Sequence, residues 1–282
     1  MIKNWRFVLI CFLVFTSHKG QEIIGQGNFS MPAPVYKTKI IGSSYLNVYY
    51  DTKFVRNPSA PNIKTETLCI LQLGEKFSKF SELKTLQKDS LLEKYSHQSN
   101  VGAKDMNALF KLQNQWSSVV LKDKLSKKYT VQNNVGRNVF QYETELPVFD
   151  WKIGKGSKVI LGYNCKDATL NYAGRDYSAW YAVDIPITDG PYIFNGLPGL
   201  ILEISDSKRE YIFSAVNIAK ISRDVYLHNE EAILNVTRDK FKQVEKAYHD
   251  NPGFYHGKAY NADGSVISGN SKSLPYNPIE LK

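Results

Sequence analysis

Residues 177–185 read YSAWYAVDI, and their side chains alternate along the chain between an apolar and a mixed set. Alternation with a period of two predicts a β-strand, because successive side chains of a strand point to opposite faces. The mixed face carries Trp180 and Asp184. The apolar face carries Tyr177, Ala179, Tyr181, Val183 and Ile185.

The same period continues on both sides of this stretch. Residues 157–163 alternate, and Val159, Leu161, Tyr163 and Cys165 are predicted to share one strand face. Residues 200–204 (LILEI) form a further strand, and residues 205–207 suit a turn into residues 211–218. The central third of the chain therefore predicts an antiparallel meander.

The rest of the chain is also rich in strand-forming residues, with 18 Tyr and 14 Phe in 282 residues. We predict strands within 35–50, 66–74 and 117–146, a loop at 51–64, and turns at Asn133-Asn134 and Gly136. Near-helical spacing of apolar residues predicts helices at 81–95, 105–113 and 230–249. The expected fold class is β-rich α+β, a curved antiparallel sheet or half-barrel with two to three covering helices.

The first twenty residues have the order of a secretory signal peptide. Lys3 and Arg6 precede the apolar run FVLICFLVF at residues 7–15, and a short polar stretch follows. The apolar run is shorter than the ~20 residues of a membrane-spanning helix; an N-terminal anchor or a buried strand is the alternative. We therefore predict a signal peptide at 1–20, a single β-rich domain at 21–260 and a flexible tail at 261–282.

Export predicts a location in the periplasm or on the outer-membrane surface of a Gram-negative bacterium. No later apolar stretch is long enough to span a bilayer, so we expect no membrane span after signal removal. That removal leaves 33 basic and 27 acidic residues, spread along the chain. A dispersed excess of this size favours an ordinary solvated surface, and no motif indicates nucleic-acid binding.

Two cysteines remain beyond the signal segment, Cys69 and Cys165. An oxidising compartment permits a disulfide between them, but sequence spacing does not decide it. Cys165 also fits a buried apolar position. The cysteines and histidines lack zinc-site spacing, so we expect neither a metal nor another cofactor. His249, Asp250 and His256 favour a helix end and turn over a weak metal site.

Residues 194–204 read FNGLPGLILEI, and the core of this motif is Gly196, Leu197, Pro198, Gly199, Leu200 and Ile201. Together with Gly162-Tyr163-Asn164-Cys165-Lys166 and Ala179-Trp180-Tyr181 upstream, the motif resembles the GLPGLI family of exported Bacteroidetes proteins. The resemblance is dense over about residues 140–220. It implies export, but it implies no activity.

The motif itself predicts a bend. Pro198 restricts φ to about −65° and Gly199 tolerates positive φ, which is the chemistry of a type II turn. Gly190-Pro191 predicts a second bend. The bends would form either a structural corner that sets strand register or a loop that contacts a ligand. We favour the structural corner because the motif holds no nucleophile or base.

Five residues near the motif are candidate ligand contacts. Arg175 and Asp184 are candidates for a charged pair near Trp180, as an anion site or as a structural pair at the sheet edge. Tyr192 and Phe194 supply apolar surface between the two bends.

Three classes of function fit these features. We favour a non-catalytic binding or carrier module for an apolar or envelope ligand, because an aromatic-rich curved sheet can enclose such a ligand. The alternatives are an accessory partner of an outer-membrane transport or surface complex, and an envelope hydrolase. No catalytic residue is assigned, since the serine-hydrolase and zinc-protease motifs are absent from the sequence.

Overall fold

A computed structural model describes residues 29–256, 259–260, 266–267 and 272–282 of the chain. The predicted signal peptide at 1–20 lies outside the described residues. The strands, in chain order, are β1 (Ser30–Pro32), β2 (Thr38–Ser44), β3 (Leu46–Val55), β4 (Lys64–Leu73), β5 (Phe77–Glu82), β6 (Asn100–Gly102), β7 (Val119–Asp123), β8 (Lys128–Val135), β9 (Asn138–Glu145), β10 (Lys152–Ile160), β11 (Tyr163–Tyr172), β12 (Arg175–Ala182), β13 (Leu200–Asp206), β14 (Tyr211–Ala219), β15 (Arg223–His228), β16 (Leu234–Asn235), β17 (Ala259–Tyr260) and β18 (Val266–Ile267). The helices are α1 (Leu83–Ser96), α2 (Ala103–Lys111), α3 (Arg238–Asp250) and the short α4 (Pro252–His256).

A single twelve-stranded sheet dominates the described chain, in the order β10-β11-β12-β13-β14-β3-β4-β5-β7-β8-β9-β16. All its pairs are antiparallel except β16 with β9, so the sheet is mixed, and over the described residues it does not close into a barrel. The β-rich α+β class is confirmed, and β10 to β14 form the predicted antiparallel meander.

Tight turns connect the first strands of the meander. Leu161-Gly162 and Ala173-Gly174 both have positive φ at each position, as two-residue type I′ hairpins require. The prediction that Leu161 and Tyr163 continue one strand from Val159 is therefore wrong, because the chain reverses between them. Likewise β12 ends at Ala182, and Val183 is exposed outside the strand.

Other boundaries also differ from the sequence predictions. The predicted loop at 51–64 begins only after Val55, because β3 pairs with β4 as far as that residue. Asn133 and Asn134 lie inside β8, and the turn follows at Gly136. Helix α3 starts at Arg238 rather than near 230, where the hydroxyl of Thr237 caps the helix by accepting from the backbone N–H of Lys240.

The two faces of the sheet are covered differently. Its inner face, which carries Val48, Phe80 and Val120, faces one large apolar core. That core includes residues of β3 to β5, β7 to β9, β11 to β14 and α3. Its outer face, which carries Phe77, Val119 and Leu121, packs against the small β2–β15 sheet. The helices α1 and α2 form a third apolar cluster with β6.

A buried polar cluster lies where α1 meets the β2–β15 sheet. Asp89 of α1 accepts a hydrogen bond from the hydroxyl of Tyr226 (2.9 Å) and lies 3.1 Å from Nε2 of His228. Nδ1 of the same imidazole lies 2.9 Å from Glu230. Lys79, almost fully buried, places its ammonium 3.9 Å from the centre of the Tyr226 ring. Two side chains of β15, Tyr226 and His228, therefore contact α1 through Asp89, and a protonated His228 would direct one N–H group at each of the two carboxylates.

Stability should consequently depend on the protonation of His228. Burial opposes its charged form, but the hydrogen bonds and charges of Asp89 and Glu230 outweigh burial and raise the pKa of His228 above 6.5. Because the pKa of His228 is higher in the folded state, its protonation stabilises the folded protein. This contribution is complete below about pH 6.5 and is lost as the pH rises through the folded-state pKa. We expect His228→Gln to cost about 1–2 kcal/mol in urea unfolding near pH 5.5 and markedly less near pH 9.

The exposed His97 provides the matched control, and His97→Gln should cost the same small amount at both pH values. An equal cost of His228→Gln at both pH values would contradict the assigned ion pairs.

Candidate functional site

The GLPGLI motif lies at the end of a long connection between β12 and β13, residues 183–199, which packs into the inner-face core. Ile193 and Leu197 are fully buried in that core. The indole N–H of Trp151 donates to the carbonyl of Asn195 in the connection (2.8 Å), and the hydroxyl of Tyr50 donates to the carbonyl of Ile201 at the start of β13 (2.6 Å). Hydrogen bonds therefore hold both the connection and the strand that follows it.

A buried lysine makes the strongest of these contacts. Lys122 projects from the inner face of β7, and its ammonium donates to Asp189 (2.5 Å) and to the carbonyls of Gly190 (2.7 Å) and Phe194 (3.4 Å). Lys122 and Asp189 are 1% and 3% exposed by side chain. Burial lowers the pKa of Lys122, although the Asp189 charge opposes the shift. The Lys122 ammonium thus binds three acceptors of the connection to β7, a strand that is not adjacent to β12 or β13 in the sheet.

Close approach, not positive φ, explains the glycine of the motif. The backbone N–H of Gly199 donates to the carbonyl of Leu197 (2.8 Å) around Pro198, which is the hydrogen bond of an inverse γ-turn. Gly199 does not have positive φ, so the predicted type II turn is wrong. A Cβ at Gly199 would instead collide with the carbonyl of Ala182.

Tyr192 has a strained backbone. Five described residues other than glycine have positive φ, and four of them (Lys127, Leu161, Ala173 and Arg209) lie in hairpin connections. Tyr192, at φ 52°, lies within the long connection, and its side chain is 5% exposed. Left-handed backbone costs an ordinary residue about 1–2 kcal/mol, and such strain clusters at functional sites.

Tyr192 lines a cavity of about 470 Å³ on the inner side of the sheet. The cavity lies between the sheet, helix α3 and the C-terminal segment 274–280. Its walls are mainly aromatic. They include Phe54, Trp116, Tyr142, Tyr192, Tyr211, Phe241 and Tyr276. Trp116 is the centre of this group, since its ring makes edge contacts with Phe54, Tyr192 and Tyr211 at centroid distances of 5.6, 6.0 and 6.4 Å.

The C-terminal segment covers one side of the cavity. Arg175 donates to the side chain of Asn277 (2.7 Å) and to the carbonyl of Pro278 (2.9 Å). Tyr177 and Tyr211 donate hydroxyl hydrogens to the carbonyls of Ile279 and Asn277. Residues 272–282 belong to the predicted flexible tail at 261–282, and the hydrogen bonds above connect them to distant strands of the domain.

The carboxyl groups of the cavity wall already have partners. Glu280 is buried, pairs with Arg238 and, at 3.4 Å, with Lys242, and accepts from the hydroxyl of Tyr192 (3.1 Å). Burial raises the pKa of Glu245, which accepts from Tyr276 (3.0 Å).

Two polar atoms of the wall lack a partner among the described residues. They are the indole N–H of Trp116 and the side-chain oxygen Oδ1 of Asn133, and each residue is 7% exposed. An unpaired buried donor or acceptor costs about 1–3 kcal/mol. Each of these two atoms therefore carries an uncompensated cost of burial.

The five sequence candidates separate in the structure. Only Tyr192 lines the cavity, and Phe194 packs behind it with a ring-centroid distance of 6.3 Å. The predicted pairing of Arg175 with Asp184 is wrong, because Arg175 pairs with Asp206 (3.0 Å) and Glu210 (2.7 Å) while Asp184 is exposed. Trp180 lies on the opposite face of β12, beneath the Lys158 ammonium at 4.6 Å.

Sequence reasoning missed the most informative wall residues. Asn133 was read as a turn, although it interrupts the alternating apolar set Tyr129, Val131 and Val135 on one face of β8. A polar residue on an otherwise apolar strand face was the available signal. Trp116, Glu245 and Glu280 come together only through contacts between distant parts of the chain.

Cys69 and Cys165 are both free and buried, so the structure does not contain the considered disulfide. Among the described residues, no group of three or more His, Cys, Asp or Glu is arranged to hold a metal ion. Nδ1 of His249 instead lies 2.7 Å from the carbonyl oxygen of Pro275, within hydrogen-bond distance. Within the same residues, none of the helices combines the length and apolarity needed to cross a membrane.

Comparison with known proteins finds a family match over a short segment of the chain and establishes no activity. Residues 174–203 match Porph_ging, described as a protein of unknown function, which is the GLPGLI-type family of Bacteroidetes proteins; the resemblance seen in the sequence is thus confirmed. No curated protein matches the chain. Solved structures of PNGF-II in space groups P21 and C2 are similar at 13% identity, with TM-scores of 0.48 and 0.47. These matches cover 71% of this chain and 32% of the PNGF-II chain.

The buried pair predicts a large and specific stability effect. Asp189→Leu leaves the Lys122 ammonium buried without its counter-charge, and we expect a loss of about 3–5 kcal/mol in the free energy of unfolding. Adding Lys122→Met to this variant removes the uncompensated charge and should recover most of the loss. Urea unfolding of the three variants measures both effects.

Lys128→Met serves as the control, because Lys128 forms an exposed pair with Glu143. It should leave the unfolding midpoint almost unchanged. The assignment fails if Asp189→Leu is as mild as this control.

Proposed function

We propose that this protein, whose residues 174–203 match the GLPGLI-type family of unknown function, is a non-catalytic binding or carrier module for a mostly apolar ligand. The aromatic cavity is the observation that carries this proposal. Its volume of about 470 Å³ falls within the usual range of small-molecule sites, ~300–1,000 Å³. It is also about three times the ~150 Å³ of an apolar cavity that binds benzene.

The composition of the wall supports a ligand role. Small-molecule sites are concave and lined mainly by apolar and aromatic side chains. Here the space is bounded by aromatic rings and by a segment of the chain terminus that many hydrogen bonds hold in place. The strained backbone of Tyr192 lies at this wall, where its hydroxyl contacts Glu280.

We further propose that the sheet curves into a half-barrel around the cavity. Phe80 of β5 and Phe213 of β14 contact each other with a centroid distance of 5.8 Å, although their strands are three positions apart. Three strand steps span about 14 Å in a flat sheet. Tyr211 of β14 and Tyr142 of β9 line the same cavity from six positions apart, about 29 Å along a flat sheet. Bending would bring these side chains together.

The cellular setting of the proposal comes from the sequence. The signal-like residues 1–20 favour export to the periplasm or the outer-membrane surface. An apolar or envelope-derived molecule is therefore the proposed ligand, and a protein of the envelope is the proposed receiver. The accessory role in an outer-membrane complex stays a prediction.

A hydrolase is the second candidate, because two carboxyl groups line the same cavity. The raised pKa of Glu245 suits a general acid, and Glu280 is the second carboxyl group of the wall. Glu280 is, however, engaged by Arg238, Lys242 and Tyr192, which favours a structural role. Glu245→Gln separates the candidates: a carrier keeps its ligand affinity and releases the ligand chemically unchanged, whereas a hydrolase loses turnover.

The carrier proposal predicts binding of a neutral apolar dye. N-phenyl-1-naphthylamine should increase its fluorescence with the protein in a saturable way. Ser118 lines the cavity and is half-buried. Ser118→Trp adds a bulky indole at the wall, and we expect it to weaken dye binding about tenfold, ~1.4 kcal/mol.

Ser178→Trp is the matched control, since Ser178 is exposed on β12 and does not line the cavity. It should leave the dye affinity unchanged. Absence of saturable binding to the folded protein, or equal weakening by both variants, would contradict the proposal.

A further inference from the structure

One charged side chain of the cavity wall differs from the others. Apart from tyrosines, the titratable groups of the wall are Arg56, Lys242, Glu245, His249 and Glu280. Glu280 lies 3.4 Å from the Lys242 ammonium, so these two charges offset each other. Burial raises the pKa of Glu245 and lowers the pKa of His249, and both shifts favour the uncharged form. Arg56 takes part in none of the ion pairs among the described residues, which leaves the wall with one cation that has no counter-charge there.

Hydrogen bonds hold the guanidinium of Arg56 in one orientation. Its Nε donates to the hydroxyl of Thr65 (3.1 Å), and Nη2 donates to the carbonyl and to the side-chain oxygen of Gln115, both at 2.9 Å. Gln115 is itself fixed, because its backbone N–H donates to the buried carboxylate of Glu82 (2.6 Å). These bonds use three of the five guanidinium N–H groups. The two N–H groups of Nη1 have no partner among the described residues.

Arg56 also lies where the aromatic wall meets solvent. The residue is exposed and lines the cavity, so it marks an opening of the cavity to solvent. Its Cζ atom lies 5.4 Å from the centre of the Phe54 ring. The Phe54 ring in turn contacts the rings of Trp116 and Tyr211, with centroid distances of 5.6 and 6.3 Å. A chain that lies along this wall would therefore have a cation at its outer end.

We propose that the ligand is an amphiphile with a single negative charge, whose head pairs with Arg56 while its apolar chain lies along the aromatic wall. This inference rests on the proposed carrier function. Guanidinium groups bind carboxylates through strong charge-assisted hydrogen bonds. A head at the opening stays in contact with solvent, so it avoids the large cost of burying an unpaired charge.

The number of free cations favours one negative charge on the head. A carboxylate carries one charge, which Arg56 offsets. A phosphate monoester carries about 1.5–2 negative charges near pH 7. Its surplus charge would lie in a cavity whose remaining charged groups include Glu245 and Glu280. A carboxylate head, as in a fatty acid, is therefore the class that fits.

Three probes of equal chain length test the head group by displacement of N-phenyl-1-naphthylamine at low salt. They are decanoate, 1-decanol and decyltrimethylammonium, each below its micelle-forming concentration. Decanoate should displace the dye at a lower concentration than decyltrimethylammonium. Arg56→Gln should weaken decanoate about fivefold, because the head loses its cation, and should change 1-decanol less than about twofold.

Arg223→Gln is the matched control. Arg223 is also exposed and also belongs to none of the ion pairs among the described residues, but it does not line the cavity. This control should leave the potency of all three probes unchanged. Arg56→Lys keeps the charge but not the fork of N–H groups, and its affinity for decanoate should lie between those of the unaltered protein and Arg56→Gln.

Salt gives a second measurement that needs no variant. Raising the ionic strength from about 0.01 to 0.15 M shortens the screening length from about 30 to 8 Å. In the unaltered protein this change should weaken decanoate relative to 1-decanol. If Arg56→Gln fails to fold, an equal response of the two probes to salt overturns the inference.

The outcomes separate the inference from the function beneath it. If Arg56→Gln weakens decanoate and 1-decanol equally, Arg56 only shapes the opening, and the head-group assignment is overturned while the carrier proposal stands. A decanoate affinity that Arg56→Gln leaves unchanged overturns the assignment in the same way. Absence of saturable dye binding overturns both.

Discussion

The buried ammonium of Lys122 is the constraint on which the arrangement around the cavity depends. It links β7 to three acceptors of the connection between β12 and β13, and these two parts of the chain are 67 residues apart. A buried lysine without a counter-charge is strongly destabilising, so the connection must remain in contact with β7. This contact fixes the Gly190-Pro191 bend and thereby the backbone from which Tyr192 reaches the cavity.

The GLPGLI motif contributes geometry to this arrangement. Gly199 permits the chain to pass against the carbonyl of Ala182, and Pro198 favours the tight turn before β13. The motif thus shapes the entry of the chain into β13 through close packing and not through a left-handed glycine. Tyr192 and Phe194 precede the motif in the chain. Tyr192 lines the cavity, and Phe194 packs against Tyr192.

Local sequence patterns predicted the meander because strand alternation depends on neighbours along the chain. They located the apolar face of β12 at Tyr177, Ala179 and Tyr181, but they did not place the hairpin at Leu161-Gly162 within an otherwise apolar run. Most contacts of the candidate site could not be predicted from local sequence patterns. Arg175 pairs with Asp206 and Glu210 and not with Asp184, which is closer in the sequence. It also donates a hydrogen bond to Asn277, 102 residues away in the chain. Such partners follow from sheet register and from the path of the C-terminal segment, neither of which periodicity specifies.

An aromatic cavity whose carboxyl groups already have partners is consistent with a mostly apolar ligand. The most direct measurement is the ¹H–¹⁵N NMR signal of the Trp116 indole, assigned by its loss in Trp116→Phe, during titration with N-phenyl-1-naphthylamine. The account predicts a progressive shift of this signal as the aromatic dye fills the cavity beside the Trp116 ring, with the Trp151 signal unmoved. A Trp116 signal that stays in place at a saturating dye concentration would contradict it.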